Sequence, residues 1–81
     1  MNRVVFDFND KFSLLTDGNQ WLVARRGKRD RWDAIAFIAS NKMIVQRVLN
    51  EKGIKMTEDA KRAMDDLPFK FRDFIAEAAD D

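Results

Sequence analysis

Residues 12–26 read FSLLTDGNQWLVARR and predict a β-hairpin. From Phe12 to Thr16, every second side chain falls on one face of an extended chain, which is typical of a strand that buries one side. The segment Asp17-Gly18-Asn19 then supplies residues that tolerate a positive φ, as a tight reversal requires. Residues 20–25 return as a second strand, so we expect an antiparallel pair.

The strand pattern extends on both sides of this hairpin. Toward the N-terminus, the alternation predicts a strand that buries one set of side chains, Val4, Phe6 and Phe8. The dipeptide Asn9-Asp10 marks the turn that follows. Toward the C-terminus, a second reversal at Gly27–Asp30 leads into Arg31–Ile38, which is rich in aromatic and β-branched residues. We therefore expect a meander of three or four antiparallel strands.

After the strands, the apolar residues take up the period of a helix. Ser40 is a predicted N-cap, and one apolar stripe follows at helical spacing: Ile44, Val45, Val48 and Leu49. Gly53 stands where the backbone of a helix commonly turns left-handed and ends. We expect a first helix between Ser40 and Gly53.

A second and a third helix are predicted beyond residue 56. Thr57 is the predicted N-cap of the second, and its inward positions are apolar: Ala60, Ala63, Met64 and Leu67. Pro68 limits this helix, because the residue before a proline is disfavoured in the α region. A short terminal helix follows from a last set of apolar positions: Phe71, Phe74, Ile75 and Ala78.

Together these elements predict an α+β fold. Its antiparallel β-meander of three to four strands is followed by two or three helices packed on one sheet face. We expect one domain over residues 1–81, with the meander in residues 1–39 and the helical part in residues 40–81. A chain of this length is too short for more than one core.

Composition argues against catalysis. The chain contains no His, no Cys and no Tyr, so it lacks the usual general bases near neutral pH and a thiolate nucleophile. Its few hydroxyl groups each have a structural explanation in a strand, a turn or a cap: Ser13, Thr16, Ser40 and Thr57. We expect no enzymatic activity and no catalytic residue.

Metal and cofactor sites are not predicted either. The acidic pairs Asp65-Asp66 and Asp80-Asp81 are neighbours in sequence, and adjacent side chains on a helix diverge by about 100°, whereas a cation needs converging oxygens. Asp17-Gly18-Asn19 resembles part of a calcium loop but lacks the bidentate Glu downstream. The three glycines are isolated, so no phosphate-binding loop is present.

The sequence favours a reducing, intracellular location. The absence of Cys excludes a disulfide framework. No run of about 18 apolar residues exists, and the segment MNRVVFDFND at the N-terminus carries acids where a signal peptide is apolar. We expect a cytoplasmic protein without a membrane partner.

Charge is unevenly distributed along the chain, although its net value is only +1. Five cations cluster around the second reversal: Arg25, Arg26, Lys28, Arg29 and Arg31. Residues 57–81 have a net charge of −4, and their acids form a second candidate surface: Asp65, Asp66, Asp73, Glu77 and Asp80. The basic hairpin suits a phosphate backbone or an acidic protein surface, or it is a solvated strand edge protected by charge. Trp21 and Trp32, which flank it, are expected in the core rather than as platforms for bases.

The segment Asn9-Asp10-Lys11-Phe12, with Leu14, Thr16-Asp17 and Asn19–Leu22, resembles small proteins encoded in the early regions of tailed phages and prophages. In that group a basic, variable hairpin, a Trp-containing third strand and an amphipathic helix follow. Residues 25–31, 32–37 and 41–52 stand in those places, and the resemblance covers about residues 4–52. It implies a protein that acts inside a bacterial host during infection, without a known active site.

These observations lead to three alternatives for function. The first is a non-enzymatic phage accessory protein that binds a host protein or nucleoprotein complex, including inhibition of a defence system of the anti-CRISPR kind. The second is a small nucleic-acid-binding module that contacts phosphates through the basic hairpin tip. The third is a scaffold or a dimer built on an exposed strand edge. The sequence leaves the choice of binding surface, the target and the oligomeric state open.

Overall fold

A computed structural model describes residues 2–79, apart from the side chains of Asp30, Ala78 and Ala79. Its strands and helices are β1 (Arg3–Asp7), β2 (Phe12–Thr16), β3 (Trp21–Arg26), β4 (Trp32–Ile38), α1 (Lys42–Lys52), α2 (Glu58–Asp66) and α3 (Phe71–Ala79). A single 3-10 turn, Lys28–Asp30, joins β3 to β4. The predicted α+β fold is confirmed, with four strands followed by three helices.

The four strands form one antiparallel sheet in the order β1-β2-β3-β4. The hairpin that decides the fold has the predicted reversal, and its strands pair Thr16 with Trp21 next to the turn. Gly18 has a φ of +94° there, and the Asp17 carboxylate accepts hydrogen bonds from the backbone N–H groups of Asn19 and Gln20 at 2.8 and 3.1 Å. This turn is therefore held both by the backbone freedom of glycine and by a side chain.

One predicted strand face was wrong, because β1 contains a bulge. Val4 pairs with Leu15, and Phe6 pairs with Leu14, so the pairing register shifts between Val4 and Phe6. One extra residue reverses the side on which later side chains point. Val4 is consequently 47% exposed on the face away from the helices, while Phe8 is fully buried beneath them.

The first helix begins one residue later than predicted. Asn41, not Ser40, is its N-cap, and the Asn41 side chain accepts from the backbone N–H of Met43 at 3.0 Å. The Ser40 carbonyl instead accepts from the N–H of Phe71 at the start of α3. The predicted end at Gly53 is confirmed, with φ 69° in the left-handed region.

Helix α2 has the predicted cap at its start and a cap that the sequence did not reveal at its end. Thr57 Oγ1 accepts from the backbone N–H of Ala60 at 3.1 Å. At the other end, the Lys42 ammonium donates to the carbonyl groups of Met64, Asp65 and Leu67 at 2.9, 3.2 and 2.8 Å. A cation at this position also stabilises the negative end of the helix dipole.

The main core lies between the three helices and one face of the sheet. Trp21 is fully buried there, as predicted, with ring centroids 5.2 and 5.6 Å from those of Phe71 and Phe74. The opposite sheet face carries a smaller buried cluster of three residues, Leu15, Leu22 and Ala24. The ring of Trp32 packs against this cluster but is only half-buried, so the prediction of a core tryptophan is met in part.

Candidate functional site

The basic hairpin tip, which we define as residues 25–31, is a compact turn rather than an open loop. The N–H of Gly27 donates to the carbonyl of Arg31 at 2.6 Å, and the N–H of Arg31 donates to the carbonyl of Lys28 at 3.2 Å. A third hydrogen bond joins the N–H of Arg26 to the carbonyl of Lys11, in the turn between β1 and β2, at 2.7 Å. The backbone of the tip is thus tied to itself and to the neighbouring turn.

Arg29 stands at the apex with a left-handed backbone. Its φ of 59° is the one positive value found at a residue other than glycine within residues 2–79. A side chain with a Cβ adopts this region at a cost, because the Cβ approaches the backbone oxygen. The apex is therefore a point of local strain in an otherwise regular hairpin.

Four of the five predicted cations surround one shallow depression. Its lining consists of Arg25, Arg26, Gly27, Lys28, Arg31 and Asp33. Arg29, the fifth cation of the predicted set, lies outside this lining. The structure thus converts a run of charges in the sequence into a cluster that faces a common space.

One carboxylate shares the depression with the cations. Asp33 Oδ2 lies 3.9 Å from Arg25 Nη2, and both side chains are 60% exposed. Gly27 makes room for this carboxylate, because a Cβ at position 27 would meet Asp33 Oδ2 at 3.1 Å and the Arg31 carbonyl at 3.2 Å. At that distance and exposure the ion pair is weak.

Arg26 is held by an aromatic ring. Its guanidinium carbon lies 5.0 Å from the centroid of the Trp32 ring, within the range of a cation–π interaction. Arg26 and Trp32 are cross-strand partners in the last pair of β3 and β4. The sheet register therefore fixes the direction in which this cation projects.

The predicted acidic surface is only partly assembled. Asp66 and Glu77 line a second shallow depression, whose other walls are Val5, Phe6, Ala63, Leu67, Pro68 and Phe74. Asp65 and Asp73 are exposed but lie outside that lining. Asp80 lies outside the described residues. Two of the five predicted acids therefore share one place.

The basic tip and the end of α2 lie at opposite ends of the sheet. The tip follows the end of β3, whereas Ser40 follows the far end of β4 and is hydrogen-bonded to the start of α3. Lys42, beside it, holds the last turn of α2, where Asp65 and Asp66 stand. The two acids at the end of α2 are therefore remote from the basic tip, but cations share their end of the molecule, because Lys70 and Arg72 line a depression with Ser40 and Asn41 there.

Two of the hydroxyl groups form hydrogen bonds within the sheet and its turn. Ser13 donates to Asp7 at 2.5 Å, and Thr16 Oγ1 donates to the Gln20 carbonyl at 2.8 Å. Among the Asp and Glu residues whose side chains are described, no group of three or more is arranged to hold a metal ion. Within residues 2–79, no helix has the length and apolarity needed to cross a membrane.

Sequence reasoning missed two residues of this site. Asp33 enters the depression as the cross-strand partner of Arg25, and Lys11 fixes the tip through its carbonyl group. The position of the second reversal carries a signal for Asp33, because a turn at residues 27–31 places residues 25 and 33 opposite each other.

Comparisons of the chain with protein-family models, with curated proteins and with solved structures found no match.

Proposed function

We propose that this chain is a non-enzymatic phage or prophage accessory protein that binds a host protein or nucleoprotein complex through its basic hairpin tip. The observation that supports this proposal is the convergence of four cations on one depression at the tip. Inhibition of a host defence complex, of the anti-CRISPR kind, is the action that the phage resemblance suggests for such a protein.

The geometry of the tip suits docking. Cations gathered at one end of an elongated molecule of 33 × 24 × 20 Å orient it in the field of an anionic partner. The hydrogen-bonded turn and the stacked Arg26 also reduce the side-chain and backbone entropy lost on binding. A rigid, charged projection is therefore a favourable first contact with an acidic surface.

The acids of the helical part form the second surface in this proposal. Asp66 and Glu77 flank an apolar depression that includes Phe6 and Phe74. Carboxylates on a helical surface present negative charge as phosphates do, so these acids suit a basic nucleic-acid groove on a host protein. Reversing their charge tests them separately from the tip.

A direct nucleic-acid-binding module is the second candidate function. It is favoured by the lining of the tip depression, which consists of charged side chains and one glycine. Such a lining matches contacts to a phosphate backbone, which need cations but no apolar anchor.

Affinity capture from a nuclease-treated bacterial lysate tests the proposal. The bait is the tagged protein, compared with a tip variant, Arg26→Glu with Arg31→Glu, and with a control of equal charge change on the helices, Arg47→Glu with Arg72→Glu. We expect a host protein at stoichiometric level that the tip variant loses and the control retains. Equal capture by all three proteins contradicts the tip as the binding surface.

A further inference from the structure

We propose that the tip depression binds phosphate groups of a nucleic-acid backbone and that Asp33 is an internal counter-ion, which competes with phosphate for Arg25. This inference rests on the second candidate function, the nucleic-acid-binding module, and adds a role for Asp33 in it. The observation that supports this inference is the position of the Asp33 carboxylate among four cations.

The composition of the depression favours phosphate over a protein surface. Stable protein interfaces are centred on apolar or aromatic anchors in well-packed pockets. Among the residues whose side chains are described, the lining of this depression has three arginines, one lysine, one aspartate and one glycine, and no apolar side chain. Guanidinium groups bind the oxygens of a phosphate in pairs, so three arginines around one space match that chemistry.

The two tryptophans favour backbone contacts over contacts with bases. Single-stranded nucleic acids usually stack their bases on exposed aromatic rings. Trp21 is fully buried, and the ring of Trp32 carries Arg26 on one side while it packs against the cluster around Leu22. The tip therefore offers cations to the backbone without an open aromatic platform.

Asp33 occupies part of the site in the absence of a partner. Its separation of 3.9 Å from Arg25 exceeds the length of a hydrogen bond, and both groups are well hydrated. A phosphate oxygen that approaches Arg25 meets the negative charge of Asp33 at the same place. The Asp33 carboxylate thus lowers the affinity of the depression for any anion. Anions that contact several of the cations at once are favoured, because those contacts outweigh the repulsion by Asp33.

The remaining three cations set the expected salt dependence. Among the residues whose side chains are described, Arg26, Lys28 and Arg31 have no carboxylate within 4.0 Å. Three phosphate contacts on duplex DNA correspond to a slope of log K against log salt of about −2.7. Releasing Arg25 from Asp33 adds a fourth contact and steepens the slope to about −3.6.

Fluorescence anisotropy tests this inference. It measures the affinity for a labelled 20-base-pair duplex of mixed sequence at salt concentrations between about 50 and 200 mM, the range in which phosphate contacts weaken binding strongly. The proteins are the wild type, Asp33→Asn and the control Asp59→Asn, which makes the same charge change on α2 and also removes an exposed ion pair, that with Arg62. We expect Asp33→Asn to bind up to about fivefold tighter and with a slope steeper by about one, as for the loss of one surface ion pair. Asp59→Asn is expected to match the wild type, and a second duplex of different sequence should bind equally well.

Three outcomes overturn the inference. No binding of either duplex by the wild type and Asp33→Asn excludes phosphate as the ligand, while capture of a host protein through the tip still upholds the proposed function. Tighter binding of a poly-glutamate peptide than of the duplex identifies carboxylates as the preferred anion. If Asp33→Asn and the wild type bind the duplex with equal affinity while Arg26→Glu does not bind it, Asp33 does not compete with phosphate for Arg25. Thermal unfolding of each variant shows whether it is folded.

Discussion

The guanidinium carbon of Arg26 lies 5.0 Å from the centroid of the Trp32 ring, at the last cross-strand pair of β3 and β4. This contact joins the fold to the site, because the same ring packs on the buried cluster of Leu15, Leu22 and Ala24. A cation held over an aromatic face loses less freedom when it meets an anion. The sheet therefore presents Arg26 in a defined direction.

Replacing Trp32 tests this relationship. Trp32→Leu removes the aromatic face and is expected to weaken binding of an anionic partner severalfold, although no charge changes. Trp32→Phe keeps a ring and should retain most of the affinity, since the cation–π contribution is about 0.5–1 kcal/mol at exposed sites. Titration calorimetry at low salt measures both variants. Identical affinities for Trp32→Leu and the wild type would show that the ring does not position Arg26.

Substitutions of Arg29 distinguish the backbone strain at the tip from the contribution of its cations to binding. Arg29→Asn places a residue that tolerates positive φ at the apex, and we expect the free energy of unfolding to rise by about 0.5–1 kcal/mol. Arg29→Val should lower it by about 1–2 kcal/mol, because a β-branched side chain is poorly accommodated there. Urea denaturation gives both values.

The same substitution tests which cations form the site. Since Arg29 lies outside the lining of the depression, Arg29→Asn is expected to affect binding less than Arg26→Asn does. An equal loss of affinity for the two variants would mean that the whole charged turn, rather than the depression, is recognised.

Lys42 is expected to be a main determinant of stability at the opposite end. Lys42→Met removes the ammonium donor from three carbonyl groups, of which only that of Met64 keeps a backbone donor, the N–H of Leu67, and it should lower the free energy of unfolding by about 2–3 kcal/mol. Lys61→Met is the control, because Lys61 forms only an exposed ion pair with Glu58, and it should cost less than about 0.5 kcal/mol. Guanidinium denaturation compares them. Similar losses for the two variants would rule out Lys42 as a cap of α2.

Asp17 gives a pH dependence with a defined sign. The N–H of Asn19, followed by the Gln20 side chain, holds the pKa of the Asp17 carboxyl below its ordinary value of 3.8. Because the pKa is lower in the folded state, the ionised Asp17 carboxylate stabilises the fold. This stabilisation is fully present above about pH 3.8 and is lost as the pH falls through the folded-state pKa. Asp17→Asn should therefore lose less stability than the wild type between about pH 4 and pH 2. Thermal unfolding across this range measures the difference, and parallel curves would contradict it.

The sequence was sufficient for the elements whose signals are local. The turn at Gly18, the cap at Thr57 and the helix end at Gly53 each follow from one residue and its own backbone. Pro68 likewise ends α2 where the steric rule requires.

The features that were missed depend on contacts across the fold. The bulge in β1 is set by pairing with β2, so Val4 was assigned to the wrong face. The choice of Asn41 over Ser40 depends on the hydrogen bond from α3 to Ser40, and the role of Lys42 depends on where α2 ends. Similarly, the tip charges were visible in the sequence, but the exclusion of Arg29 and the inclusion of Asp33 required the hairpin register.

The most direct test of the central claim is the affinity of the captured, purified host partner for two variants of equal charge change. One carries Arg26→Glu with Arg31→Glu in the tip, and the other carries Arg47→Glu with Arg72→Glu on the helices. If the tip is the binding surface, reversing its cations should raise Kd about a hundredfold or more, while the helix variant stays within about threefold of the wild type. Equal affinities of the two variants, or a larger loss for the helix variant, would contradict the assignment of binding to the basic hairpin tip.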